Sequence, residues 1–421
     1  MFVAINENNI IIAVSRTPIQ LEGATTIQID YNGDKNALIG KKMGKPAKET
    51  EDLKVAFICN YGDNCGIATY SRYLINALGK KVNIKIFAED NNRTQASENV
   101  VKCWKRGESM VDAVQQVLDW QPDLVHIQHE FGLFPNATKF LKMLEMLNSV
   151  PYVLTLHSVY EHLDKTICTA YIKNIIVHSQ TGLNTLRRLG HDNNRIDVIT
   201  HGCVEVFDNS ELWNIFHNEY SVIQFGFGFN YKGVDQAIDA IHYLKKTDIK
   251  FKDIFYCYMC SENDHTMNIH EEYYTYLKKK IRELDLNENV VILRGYLSDG
   301  LISNFLRTAK LAIFPYKNNP NNVVYGASGA IRVAMANAIP IIGSDSHMFD
   351  DLEGVIPRID NAEHLAVEID KVFSNVDYKK LLVQKNLDFV KNNNWHLIAD
   401  KHIEVYKDIV KLYNKDCIMT K

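Results

Sequence analysis

From Leu53 onward the chain alternates between short apolar runs and amphipathic stretches, and this alternation is its most restrictive feature. KVAFICNYG, KIFAE, DLVHIQ, YVLTLH, KNIIVHS and RIDVITHG read as buried strands. Among them, IATYSRYLINALGKK, ESMVDAVQQVLDWQ, ATKFLKMLEMLN and TGLNTLRRLG carry helix periodicity. Apolar strands separated by helices at this spacing predict a parallel sheet covered on both faces. A second series of the same kind opens at SVIQFGF, closes at IPIIGSD and is followed by a helical tail from Ala362. The expectation is an α/β protein of two Rossmann-like, doubly wound domains, meeting near residues 203–221.

Residues 2–30 have a different texture. VAIN, IIIAVS and TTIQID read as short strands, and YNGDKNALIGKKMGKPAKETED reads as a polar linker. The domain expectation is therefore a small β appendage and linker over 1–50, a first domain over 51–205 and a second from 206.

Charge and cysteine usage narrow the partners. Lys and Arg number 47 against 51 Asp and Glu, a net charge of −4, which counts against a protein held on nucleic-acid phosphates. No apolar run approaches the ~18–20 residues of a membrane helix, and MFVAINENNIIIAVS lacks a signal-peptide layout, so a cytoplasmic protein is expected. The eight cysteines lie mostly in apolar runs, as suits buried thiols in a reducing compartment. Cys257-x-x-Cys260 has no second pair at zinc spacing, so no metal site is expected there.

Three loops could carry chemistry. Asn60–Gly66, Phe225–Gly233 and Tyr325–Gly329 each leave a strand-like segment and enter a helix, where free backbone amides and the helix dipole favour anions. Lys232 can neutralise a diphosphate as a point charge. The first loop is not G-x-G-x-x-G, and no acidic residue ends the second strand at the right place for a ribose, which argues against a nicotinamide cofactor. His126, His129, His157, His178 and His201 fall at strand ends, where most are expected to be satisfied structural groups.

Together these clusters resemble the GT-B glycosyltransferases of the large retaining group that includes sucrose-synthase-like enzymes. VAFICNYGDNCGIATYSRYL, DLVHIQHEFGLF, PYVLTLHS, FGFGFNYKGVDQAIDAI, IFPYKNN followed by YGASGAIRVAMANAIPIIGSD, and WHLIADKHIEVY occur in the family's order. The Ser-Gly-Ala-Ile-Arg run resembles a variant of the donor motif that lacks the usual glutamates.

The resemblance implies two domains facing a cleft, with a terminal helix (391–421) crossing back to the first domain. It implies a hexosyl- or pentosyltransferase that moves a sugar from a nucleotide-diphosphate sugar to a hydroxyl with retention. That co-substrate stands in place of a cofactor, and no metal is needed, consistent with the absence of a D-x-D motif. Donor contacts would come from Gly66, Ile67, Gly228, Lys232, Arg294, Tyr296, Ser328, Gly329, Ala330 and Arg332. His157 and Lys232 would serve catalysis, and Tyr61, His129 and Glu130 would line the acceptor side. The chain departs from the family at three places: the two glutamates fall on Tyr325 and Val333, and a usual arginine falls on Phe229. Arg332 and Asn318–Asn322 are candidates to compensate. The acceptor stays open between a glycan, a lipid-linked molecule and a modified base in DNA, and a catalytically weakened sugar-nucleotide-binding protein is a further reading.

Overall fold

The computed structural model describes residues 53–419 apart from 80, 163–171, 193, 206–215, 217, 262–266 and 296, together with strands at 2–5, 11–15 and 25–28. Those first strands, β1 (Phe2–Ile5), β2 (Ile11–Ser15) and β3 (Thr25–Gln28), form an antiparallel sheet in the order β2-β1-β3. The expected linker after it lies outside the described residues.

The first large sheet uses β4 (Lys54–Cys59), β5 (Asn83–Glu89), β6 (Val100–Trp104), β7 (Leu124–His129), β8 (Tyr152–Leu156), β10 (Asn174–Val177) and β11 (Arg195–Val198). They run in the order β11-β10-β8-β7-β4-β5-β6 with parallel pairings. Helices α1 (Gly66–Leu78), α2 (Val111–Asp119), α3 (Ala137–Met146) and α4 (Gln180–Arg188) are the crossovers. Burial on both faces explains the lack of polar alternation in these strands. Along β4, Val55, Phe57 and Cys59 enter one core, and Ala56 and Ile58 enter another.

The second large sheet is again parallel, in the order β14-β13-β12-β15-β17-β18. Its strands are β12 (Ser221–Phe227), β13 (Phe255–Ser261), β14 (Val290–Arg294), β15 (Leu311–Phe314), β17 (Ile341–Ser344) and β18 (Arg358–Ile359). Helices α5 (Val234–Thr247), α6 (Met267–Glu283), α7 (Asp299–Thr308), α8 (Gly329–Ala336), α9 (Ala362–Ser374) and α10 (Val376–Asn392) cover it. Cys257 and Cys260 fall in different cores, on opposite faces of β13, so they do not form a ligand pair.

Two relationships position the cleft. In each sheet the strand order reverses at one point, between β4 and β7 in the first and between β12 and β15 in the second. A doubly wound sheet binds ligands outside the carboxyl ends of the strands at such a switch point. Directly between the sheets, β9 (Ser158–Tyr160) pairs antiparallel with β16 (Val324–Gly326). This ribbon brings the end of β8 against the loop that enters α8. Gly326 is required there, because a Cβ would come within 2.8 Å of the His157 carbonyl oxygen.

The terminal helix α11 (Trp395–Met419) packs on α1, with Trp395 and Tyr70 ring centroids 5.0 Å apart. One core cluster runs through both halves, from Leu74 of α1 through Ile398 and Ile403 to Ile331 of α8. Among the described residues, no helix is long and apolar enough to cross a membrane.

Candidate active site

The switch point of the second sheet places Lys232, on the loop after β12, beside Tyr316, just past β15. Gly233 follows Lys232 with φ +67°, and a Cβ there would lie 1.7 Å from the Pro315 carbonyl oxygen, so only glycine permits this path. Gln224 fixes the loop from beneath: its amide donates to the Lys232 carbonyl at 2.8 Å and accepts from the Tyr256 hydroxyl at 2.7 Å.

The Lys232 side chain is only 7% exposed. Its ammonium donates to Tyr316 Oη at 2.8 Å and lies 4.0 Å from the Tyr316 ring centroid and 4.8 Å from that of Tyr231. Tyr316 Oη also shares a hydrogen bond with Ser328 Oγ, 3.0 Å away, which links the ammonium to the start of α8. Burial pushes the Tyr316 phenol above its usual range, which keeps it a neutral donor. Among the described residues Lys232 has no carboxylate partner. A buried cation without an anion is costly.

Ser328 is the N-cap residue of α8, but its side chain makes no capping bond. Because Ser328 Oγ is engaged with Tyr316, the first-turn amides of α8 lack a side-chain acceptor beside the Lys232 ammonium. Free helix amides beside an ammonium favour an anion. Gly329 and Ala330 open this turn at partial exposure, and His201 Nε2 would lie 3.2 Å from a Cβ at Gly329.

Arg332 sits one turn along α8 and is 1% exposed. Its guanidinium pairs with Asp351, donates to the Ser328 carbonyl at 2.7 Å and reaches the His201 carbonyl of the other half at 3.1 Å. These donors are spent inside the fold, so Arg332 clamps the α8 loop. Asn318 is likewise tied, to the Asp345 carbonyl at 2.6 Å.

The first sheet contributes a histidine chain. Gln128 donates to His126 Nε2 at 3.0 Å and accepts from His157 Nε2 at 2.8 Å, and His157 Nδ1 meets His178 Nε2 at 3.5 Å. His178 Nδ1 donates to the Ile199 carbonyl at 3.0 Å, and His126 Nδ1 meets the Tyr406 hydroxyl of α11 at 2.6 Å. His157 Nε2 is therefore held within its own half, whereas its Nδ1 faces the His178 ring with no proton between the two nitrogens. Burial holds His157 and His201 well below the usual imidazole range, and holds His178 at about 4. The rings of His157, His178 and His201 pack around Tyr70, with centroids 4.7, 5.2 and 5.1 Å away.

Glu130 leaves β7 at the other switch point. Its carboxylate accepts from the Phe131 amide at 3.0 Å and from the Ser158 hydroxyl, and burial raises it to about 7. Ser158 is paired with Gly326 in the ribbon, so Glu130 stands where the two halves touch.

Several expected site residues lie elsewhere. His129 is buried against Phe131, Phe134 and Phe140, at ring centroid distances of 4.9, 5.7 and 4.7 Å, so it faces an aromatic core and not an acceptor. Gly228 is packed under Cys260 and His270, with its carbonyl accepting from His270 at 3.0 Å. Arg294 ends the outer strand β14, pairs with Glu271 of α6 at 2.6 Å and stacks on Tyr274. Tyr296 lies outside the described residues. On the first-sheet side, Gly66 is exposed at the start of α1, and Ile67 and Tyr61 are half-buried beside it, with the Tyr61 carbonyl accepting from Thr94 at 2.6 Å. Of the three departures, Tyr325 packs on His347 (4.7 Å), Phe229 stacks on Tyr231 (5.8 Å, 17°), and Val333 borders the core. Residue-by-residue reading missed Tyr316, Gln128 and Ser158. Tyr316 looked like the tail of an apolar strand, and its partner Lys232 lies 84 positions away.

Two family models match successive segments: Glycosyltransferase Family 4 over residues 65–204 and Glycosyl transferases group 1 over residues 207–386. No curated protein matches the chain. Among solved structures, HepE of Anabaena in complex with UDP and glucose is similar at 14% identity and TM-score 0.66, over 85% of this chain and 100% of that one. Sucrose-phosphate synthase of Thermosynechococcus elongatus is similar at 15% identity and TM-score 0.67, over 86% and 100%. A UDP-forming α,α-trehalose-phosphate synthase of Burkholderia xenovorans is similar at 8% identity and TM-score 0.67, over 84% and 100%. At such identities the likeness is one of fold.

Proposed function

We propose that this chain, of GT-B fold and matched by the Glycosyltransferase Family 4 model over 65–204 and the Glycosyl transferases group 1 model over 207–386, transfers a hexose or pentose from a nucleotide-diphosphate sugar to a hydroxyl of a glycan or lipid-linked acceptor. The observation that carries the reading is the buried ammonium of Lys232, which has no carboxylate partner among the described residues, beside the uncapped first turn of α8. A diphosphate supplies the missing charge there and accepts from the free amides. The UDP and glucose bound by HepE, and the chemistry named for the sucrose- and trehalose-phosphate synthases, support a nucleotide sugar as donor.

Catalysis then rests on leaving-group stabilisation. As the bond from the anomeric carbon to the phosphate oxygen loosens, negative charge grows on the diphosphate. Lys232 and the α8 amides already stand beside it, and preorganised charges of this kind lower the barrier without reorganising during the step. The ammonium and helix terminus take the part a divalent metal plays elsewhere, so transfer proceeds without one. The acceptor hydroxyl attacks from the leaving-group face, giving retention. His157, fixed by Gln128 and His178 next to the ribbon, orders the wall against which the sugar lies.

The experiment is an incubation of the full chain with a panel of UDP-, GDP-, ADP- and dTDP-sugars and saccharide acceptors, with the chelator EDTA present. Release of the nucleoside diphosphate and a retained anomeric configuration by NMR are expected. No turnover of any donor, despite nucleotide binding, would leave a sugar-nucleotide-binding protein.

A further inference from the structure

Tyr325, which stands where the resemblance places a glutamate, joins the other half of the molecule. It lies in the middle of β16, opposite Val159 of β9. Its half-buried ring packs against the core cluster of the first sheet that includes Val159, Val177 and Leu186. The His347 ring of its own half lies 4.7 Å away.

The hydroxyl closes a triangle with two charged groups of the first half. It donates to Glu161 Oε1 at 3.5 Å, Arg188 of α4 pairs with the same carboxylate, and Arg188 also donates to the Tyr325 oxygen. A second contact between the halves runs beside it. Thr181, at the start of α4, donates to Asp350 Oδ2 at 2.7 Å, and His347 Nδ1 meets the same oxygen at 3.0 Å.

We infer that Tyr325 is a positioning residue, which clasps β16 to Glu161 and Arg188 and so sets the start of α8 against His157. The inference rests on the transferase reading and goes beyond it. A phenol suits the place because it is neutral, donates to a carboxylate and accepts from a guanidinium. A carboxylate does not, because Glu161 is already there and like charges this close repel. The position thus holds the two halves in register.

The path from the clasp to the site is short. Gly326 follows, opposite Ser158, with the His157 carbonyl 2.8 Å from where a Cβ would stand. Two residues further on, Ser328 meets the Tyr316 hydroxyl that holds Lys232. Loosening Tyr325 therefore moves the α8 amides relative to His157, and a misplacement of about 1 Å can cost ~10²-fold in rate. Glu161 and Arg188 are 45% and 61% exposed, so their pair adds little stability. The clasp is expected to show in turnover more than in melting temperature.

The test compares full-length wild type, Tyr325→Phe, Tyr325→Glu, Glu161→Gln and the double variant Tyr325→Glu with Glu161→Gln. It reads kcat and KM for transfer from a nucleotide sugar, affinity for UDP and GDP, and the radius of gyration without ligand by small-angle scattering. Tyr325→Glu sets two carboxylates against each other, so kcat should fall ~10-fold or more, with KM and diphosphate affinity within about 2-fold of wild type. The radius of gyration should rise with it. The double variant should regain most of the rate and the compactness, because the introduced amide donates to the new carboxylate and Arg188 still pairs with it. Tyr325→Phe keeps the ring and should lose about 3-fold in kcat, the size of one hydrogen bond.

Wild-type kcat and radius in Tyr325→Glu, or a gain in donor affinity that Glu161→Gln does not alter, overturns the inference and leaves the transferase reading standing. If Tyr325→Glu does not fold, Tyr325→Phe decides, and an unchanged kcat overturns the inference. A wild type that transfers from no donor, while the radius still follows Tyr325→Glu and its double variant, overturns the transferase reading and leaves the clasp.

Discussion

Lys232 Nζ donates to Tyr316 Oη at 2.8 Å while lying 4.0 Å from the centroid of the same ring, so one tyrosine offers the ammonium both its lone pair and its π face. The same hydroxyl shares a 3.0 Å hydrogen bond with Ser328 Oγ, and the Ser328 side chain makes no capping bond to α8. One residue thus sets the cation and leaves the helix amides open. Tyr316→Phe keeps the ring and deletes the hydroxyl. A drop in nucleotide-sugar affinity of roughly 3–10-fold is expected, the size of one hydrogen bond at ~0.5–1.5 kcal/mol. Calorimetric titration checks it, beside a melting temperature lowered by the loss of the ammonium's acceptor.

Arg332 should report on stability before it reports on ligand. Removing it by Arg332→Met strands Asp351 in the interior and is expected to cost about 3–5 kcal/mol in urea denaturation. The double substitution Arg332→Met with Asp351→Leu should recover much of that loss. A single variant as stable as wild type, but unable to bind donor, would instead make Arg332 a ligand contact.

Gly233 is the tightest backbone position at the site. Gly233→Ala places a Cβ 1.7 Å from the Pro315 carbonyl at a φ of +67°, so β12 and β15 must separate or the loop must turn. A loss of more than about 2 kcal/mol is expected, together with loss of nucleotide-sugar binding, because Lys232 is the preceding residue. Circular-dichroism melts with parallel titrations measure both.

Acid should unfold the protein through its buried imidazoles. Burial lowers His178 and His402 to about 4 and His129 to about 3. The unfolded chain takes up these protons near pH 6.5 while the folded chain does not, so stability is whole above that pH and falls as pH drops toward 4. Each such group contributes about 1.4 kcal/mol per pH unit in that window. Glu130, raised to about 7, opposes one of them, because the cost of burying its carboxylate fades as pH falls from 7 toward 4.5. The net expectation is a clear fall in the urea midpoint between pH 7 and pH 5, and equal midpoints would contradict it.

The two-sheet architecture was legible because strands buried on both faces must be apolar throughout, and KVAFIC and SVIQFGF show this without help from distant residues. The Lys232 loop was legible for a similar reason, since a lysine before a glycine at a strand-to-helix turn is a local pattern. The ribbon was not, because Ser158–Tyr160 and Val324–Gly326 are three residues each and become strands only by meeting one another. Strand Val100–Trp104 was passed over because Lys102 interrupts its apolar run at the edge of the sheet. Arg332 read as a ligand cation because its satisfying carboxylate, Asp351, lies on a different element. His129 carried a usable signal in the aromatic run after it, where Phe131 and Phe134 already mark an apolar core.

The central claim is that the buried Lys232 ammonium at the α8 terminus is the place of a diphosphate. Its most direct test is calorimetric titration of wild type and Lys232→Met with the same series of nucleoside diphosphates and nucleotide sugars. The methionine fills the same space without charge, so the fold should hold, or gain stability, when ligand is absent. Wild type should bind at least one member, with Lys232→Met binding that member roughly 10–100-fold more weakly, as expected for loss of a charged hydrogen bond worth ~1.5–3 kcal/mol. Equal affinity in the two proteins would contradict the account.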